Sequence, residues 1–136
     1  MMTTSVTKII LIVVVIYFTM LLLTKFKRAI ERLDLKSHGI EVLLVGEDGL
    51  PILSTLSSEE DKLAAMCTVI AVSSERNMQE LGKVLDYVVI SSRGEGGIVI
   101  ARLSSSYLVL IYPSSEKLGL TLFFMRKLKK ELGEVF

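Results

Sequence analysis

The sequence predicts an α+β chain. A single transmembrane helix precedes a five-stranded antiparallel sheet with helices on its faces, in the order β-β-α-β-β-β-α. Three observations lead there. An uncharged apolar run stands near the N-terminus, five short β-branched runs are separated by turn signals, and two longer stretches carry apolar residues at helical spacing. The divisions that follow are a short N-terminal tail at 1–7, the membrane helix at 8–25, a short amphipathic linker helix at 26–38 and the domain at 39–136.

The chain has 136 residues, of which 51% are hydrophobic and 23% charged, too apolar a balance for a disordered chain. The excess is concentrated between Ile9 and Leu23, and Thr24 extends the uncharged stretch to sixteen residues. As a helix rising ~1.5 Å per residue this run measures ~24 Å, slightly less than a ~30 Å hydrocarbon core. Lys8 and Lys25 bound it. Their long side chains can snorkel, so the effective span is Val6 to Phe26. A cleaved signal peptide would place its charge ahead of the apolar region and a small-residue cleavage site behind it. Here Lys8 stands alone in front, Lys25, Lys27, Arg28 and Arg32 follow, and no Ala-x-Ala is present. The run therefore reads as an uncleaved anchor that meets membrane lipid. By the positive-inside rule the protein is single-pass, with its C-terminal domain cytoplasmic. The basic residues act as topology determinants, with a secondary attraction to anionic lipid.

The sixteen Lys and Arg face fifteen Asp and Glu, and once Lys8 is set aside the remainder is neutral. A nucleic-acid partner is not expected from that balance. One cysteine, Cys67, and one histidine, His38, exclude a disulfide scaffold and a Cys/His metal module.

Beyond the anchor, Phe26, Ile30 and Leu33 recur at helical spacing, and His38-Gly39 is a helix stop. Ile40–Val45 reads as a strand ended by Gly46-Glu47-Asp48-Gly49, a hairpin signal, and Leu50–Leu56 as its return. Ser57 and Glu60 occupy the reciprocal positions of a capping box, opening a helix from Glu59 to about Lys83. Leu63, Cys67, Ile70, Ser74, Met78 and Leu81 form its sheet-facing side. A second apolar strip, Ala65, Val69 and Val72, lies about half a turn away, where a helix on a monomeric sheet would be polar, and suggests that a partner helix packs there. Strands follow at Asp86–Ser92, Ile98–Leu103 and Tyr107–Tyr112. The last helix, about Glu116–Glu134, has Leu118, Leu122, Met125, Leu128 and Leu132 as its buried stripe. Its basic residues, Arg126, Lys127, Lys129 and Lys130, sit in the C-terminal half, where cations suit the helix dipole.

No constellation for chemistry emerges. Gly94-x-Gly96-Gly97 leads into the apolar strand Ile98-Val-Ile-Ala rather than a helix N-terminus, so it reads as a hairpin turn and not a phosphate cradle. There is no Gly-x-Ser-x-Gly elbow, His38 and Cys67 fall on different elements, and the turn acids Glu47, Asp48 and Glu95 do not make a metal cage. The expectation is a binding or scaffolding protein, not an enzyme, with no catalytic, cofactor or metal residues. A membrane-tethered ligand sensor of PAS-like or profilin-like architecture, or a structural subunit, is the alternative.

From about Gly39 to Val135 the chain resembles the roadblock family, the dynein-light-chain-related domains found among regulators of small GTPases. The resemblance rests on Gly39-Ile-Glu-Val-Leu-Leu-Val-Gly-Glu-Asp-Gly49-Leu-Pro-Ile-Leu as the opening hairpin, and on the long helix after Ser57. The meander Tyr87–Tyr112, and Pro113 with Lys117-Leu118-Gly119-Leu120 before the final helix, complete it. It implies pairing with itself or another roadblock protein through the central helices and third strands. The corresponding residues here are Ala65, Val69 and Val72 with Val88, Val89, Ile90 and Ser91. It also implies a Ras-like small GTPase as partner, either scaffolded or stimulated in its hydrolysis. In such a pair two anchors would hold the joined sheet near the lipid.

Overall fold

The computed structural model describes residues 2–136, with side chains from Thr4 onward. Helix α1 (Met2–Leu33) is unbroken and is followed by a 3-10 turn at Leu35–His38. Strands β1 (Glu41–Gly46) and β2 (Pro51–Ser54) form the first hairpin, and helix α2 (Glu60–Glu80) crosses to the second block. That block is the meander β3 (Val88–Ser91), β4 (Gly97–Arg102) and β5 (Ser106–Tyr112), and helix α3 (Leu118–Leu132) closes the chain. Every strand pair is antiparallel, and the order is β2-β1-β5-β4-β3, which leaves β2 and β3 as edges. The α+β class and five-stranded antiparallel sheet are those the sequence predicts.

Alternation at period two sends side chains to two separate cores. Val42 and Leu44 of β1, Val99 and Ala101 of β4, and Leu108, Leu110 and Tyr112 of β5 are buried against α3 and the C-terminal third of α1. Leu43, Val45, Ile100, Tyr107 and Val109 face the opposite way and are covered by Ala64, Cys67 and Ala71 of α2. On α3, Met125, Leu128 and Leu132 are fully buried as the stripe predicts, and Phe124 joins them.

The expected tail and linker helix are continuous with the apolar run. Between Met2 and Leu33 there is neither Gly nor Pro, so nothing interrupts the helical hydrogen-bond ladder. Met1 lies outside the described residues. The helix stops at Asp34, whose φ of 54° is left-handed. Phe26 and Ala29 are buried in the domain core, and residues 4–21 are exposed along their whole length. By length and composition α1 is a helix able to cross a membrane.

The ends of α2 depart from expectation at one terminus. No capping box forms: the helix begins at Glu60 behind a left-handed Glu59, with no side-chain cap. Ser57 therefore lies two positions ahead of the N-cap, Glu59, and does not cap the first turn. At the other end Leu81 lies outside the buried face, 68% exposed. The Gly82 N–H donates to the Gln79 carbonyl and the Lys83 N–H to the Met78 carbonyl, the two bonds of a Schellman motif around a glycine with φ 69°.

Gly96 is a tight backbone position with a left-handed conformation. It turns β3 into β4 at φ 85°, and a Cβ there would collide with the Tyr112 carbonyl of β5. The Gly96→Ala variant should lose about 1–3 kcal/mol of stability, read as a lowered denaturation midpoint. An unchanged midpoint would show that the hairpin can shift away from β5.

Candidate interaction surfaces

Of the residues expected to pair, Ala65, Val69 and Val72 of α2 and Val88 and Ile90 of the edge strand β3 lie on one side of the sheet, and Val89 and Ser91 of β3 face the other. Val69 points away from the sheet at 67% exposure, with Met66 beside it at 52%, a neighbour the sequence strip omits. Ala65 is exposed too, but it lies on the flank facing the β1–β2 turn, where Gly49 approaches its Cα and the Thr68 side chain. Val72, 37% exposed, lines a cleft with Glu75, Arg76, Gln79, Arg102 and Tyr107. Val69 thus projects outward as the centre of the strip, and Ala65 and Val72 flank it.

β3 pairs with β4 alone, so one row of its backbone groups is open. Val88 packs on the α2 side of the sheet, and alternation puts Ile90 on that same side. α2 packs over β1, β2, β4 and β5, which leaves Ile90 40% exposed at the edge. Val89 and Ser91 face the α3 side. Val89 is 42% exposed, and Ser91 Oγ is 2.8 Å from the Tyr112 hydroxyl.

A charged network fixes how α2 sits. Arg102 at the end of β4 donates from Nε to Glu75 of α2 at 2.9 Å, and from Nη1 to Glu47 in the β1–β2 turn at 2.6 Å. Its third donor, Nη2, reaches the Tyr107 hydroxyl at 2.8 Å, and that hydroxyl donates to Glu75 at 2.6 Å. The guanidinium also stands 4.8 Å from the Tyr107 ring centroid. Hydrogen bonding to Glu75 and then Glu47 raises the Arg102 pKa further, so the cation is permanent. Nothing in the sequence order signals this cluster, because its members come from four separate elements.

Among solved structures the chain superposes on MglB of Myxococcus xanthus with a TM-score of 0.69 and 22% identity, covering 83% of this chain and 88% of that one. An MglB with a tetrameric arrangement gives 0.65 at 19% identity, over 80% and 88% of the two chains. A Roadblock/LC7 domain from Streptomyces avermitilis gives 0.59 at 15%, over 68% and 80%. The chain has the roadblock fold. No protein-family model matches the sequence, and no curated protein matches it.

Within this roadblock domain the isolated reactive residues stay apart. Cys67 is buried on the α2 side of the sheet. His38 lies on the other side, its ring centroid 5.6 Å from that of Phe124 and its Nδ1 3.4 Å from Lys117 Nζ. The glycines at 94–97 form the β3–β4 turn, closed by the Ser92 N–H donating to the Gly96 carbonyl. No group of three or more His, Cys, Asp or Glu that could hold a metal occurs among the described residues. A groove of about 460 Å³ opens outside both cores, between Lys27, Ile30 and Asp34 of α1 and its exit, and Lys36 and Thr55.

Burial pushes the Cys67 thiol from its ordinary 9.0 to about 11. Burial, then the bond to Glu75, pushes Tyr107 from 10.0 to about 12. Both groups hold their protons more tightly folded than unfolded. Their stabilisation is therefore complete below pH 9 and declines as the pH climbs through 9 to 12. The denaturation midpoint should fall across that window, and the Cys67→Ala variant should show a shallower fall between 9 and 11. An identical profile for wild type and variant would remove Cys67 as a cause.

Proposed function

We propose that the chain is a membrane-anchored roadblock-type adaptor. It pairs through α2 and β3, and holds a small Ras-like GTPase at the cytoplasmic face of the membrane. The observation that carries this reading is the joint exposure of Val69 and Met66 on α2 and of Ile90 on the open β3 edge, all on one side of the sheet. An apolar helix face beside an unpaired strand suits a second domain of the same kind, which supplies backbone partners to one and cover to the other. One structural neighbour is an MglB in a tetrameric arrangement, an example of association on this fold. The resemblance to regulators of small GTPases supplies the partner class. α1 supplies the location, since its exposed apolar stretch is flanked by Lys25, Lys27 and Arg28 on the domain side.

In this reading the chain contributes geometry rather than chemistry. Holding a GTPase at the bilayer raises its local concentration there, and any effect on hydrolysis acts through the GTPase's own catalytic groups.

Val69→Glu places a charge at the centre of the α2 face and should convert the full chain in detergent from dimeric to monomeric mass. A dimeric mass that persists would refute the assignment of that face. The partner class is tested by using the full chain in mild detergent as bait in native lysate, with GDP or a non-hydrolysable GTP analogue. The bait must keep the second half of α1, because Phe26, Ala29 and Leu35 belong to the core. Enrichment of a Ras-like GTPase in one nucleotide state is expected; recovery of only a second roadblock-type chain in both states would reduce the function to scaffolding.

A further inference from the structure

Symmetry limits what can occupy the α2–β3 face once α1 is embedded in a bilayer, and this argument rests on the pairing reading above. Two copies that join β3 edge to edge can be related by a two-fold axis along the strands or by one normal to the sheet. An axis along the strands turns one sheet over and puts the two α2 helices on opposite faces. Only the axis normal to the sheet joins the edges and keeps both α2 helices together.

That axis reverses every direction lying in the sheet plane. α1 runs along the α3 side of the sheet: Phe26 and Ala29 are buried in that core and Leu22, Ile30 and Leu33 pack against it, so about three turns of the helix follow the domain rather than stand off it. Its course is fixed at several points. The Phe26 ring is 5.6 Å from Phe136, Arg32 pairs with Glu131 at 2.7 Å, and the chain leaves α1 toward Gly39, against Pro113. From this bed the exposed residues 4–21 continue as the same helix. Two copies related by the normal axis therefore send their anchors in opposite directions. For both to enter one bilayer from the same side, each helix would have to bend sharply where it leaves the domain. Sharp kinks arise at Pro, at Gly or Ser pairs, or at inserted groups. The segment Leu21–Phe26 offers none of these. Its one hydroxyl side chain, Thr24, donates back to the Met20 carbonyl, a bond that at most curves a helix gently, and the exposed Lys25 leaves the helical ladder intact.

We propose that within one bilayer the partner on the α2–β3 face is a roadblock-type domain whose first helix carries no membrane span. Such a partner presents the same open β3 edge and apolar α2 face. Its own first helix points away from the lipid, where an apolar stretch like Ile9–Leu23 would be exposed to water and a polar one is at ease.

The test uses full chains carrying Val69→Cys and a short bismaleimide. Cys67 is fully buried, so the introduced thiol is the one that reacts. In detergent, where each anchor has its own micelle, the cross-linked dimer should form. In vesicles of phosphatidylcholine and phosphatidylglycerol it should be lost, although confinement to a surface would favour any compatible pair. Adding a mass-tagged Val69→Cys chain whose span is broken by Ile12→Lys, Val15→Glu and Phe18→Lys should restore a mixed cross-link on those vesicles. Equal cross-linking of anchored chains in micelles and in vesicles would overturn the proposal, because α1 would then bend. Cross-linking accompanied by vesicle clustering would overturn it as well, because the pair would then bridge two bilayers. Failure in micelles and with the span-broken chain alike would sink the pairing face itself, a different result from loss in vesicles alone.

Discussion

Phe26 and Ala29 are core residues of the domain, and they follow almost directly on Lys25, which closes the apolar run. One helix thus carries both the exposed apolar stretch and part of the domain core, with no linker between them. Burying Phe26, Ala29 and Leu35 on the sheet fixes the direction of α1, and the unbroken hydrogen-bond ladder carries that direction outward through residues 4–21. A flexible tether would let the domain tumble above a surface. A helix shared with the core makes the orientation of the domain a property of its own packing.

The opposite face of the sheet is organised by a different means. The inner residues of α2, Ala64, Cys67 and Ala71, are small, so the helix lies close to β1 and β5 but gains modest burial from each side chain. The Arg102 cluster adds direction to that contact. It joins the end of β4, the start of β5, the β1–β2 turn and Glu75 of α2 through hydrogen bonds in which every guanidinium nitrogen has a partner. Charged pairs that are partly exposed contribute little stability singly, and a connected set of this kind chiefly specifies position. What it positions is the helix that carries Val69 outward.

Most of the fold was legible because its signals are local. Asp48-Gly49 and Gly96 announce turns through backbone conformations that few residues tolerate, and the continuous apolar runs Val42–Val45 and Tyr107–Tyr112 announce strands buried on both faces. The capping box was misread because Ser57 and Glu60 have the right spacing, while the chain reaches the helix through a left-handed Glu59. That Phe26 and Ala29 belong to the core was not legible, since they look alike on a linker helix and in a core. The Arg102 cluster was invisible for a related reason: Glu47, Glu75, Arg102 and Tyr107 meet only after the sheet has formed. Of the second apolar strip on α2, the spacing marked Val69 as outward-facing but could not separate it from Ala65, whose flank is set by where the β1–β2 turn falls, or from Val72.

With α1 lying along the sheet, a chain whose α1 stands across a bilayer holds its sheet upright, on edge to the lipid. The outer face of α2 then looks sideways, parallel to the membrane surface, rather than down into lipid or up into solvent. A partner confined near the same surface meets that face laterally, and association becomes a search in two dimensions, with a correspondingly raised effective concentration. The other edge of the sheet is β2, Pro51–Ser54, of the same length as β3, and it begins with a residue that has no N–H to offer. Such an edge resists strand addition. The two edges of the sheet therefore differ in the backbone donors they can offer a neighbouring strand.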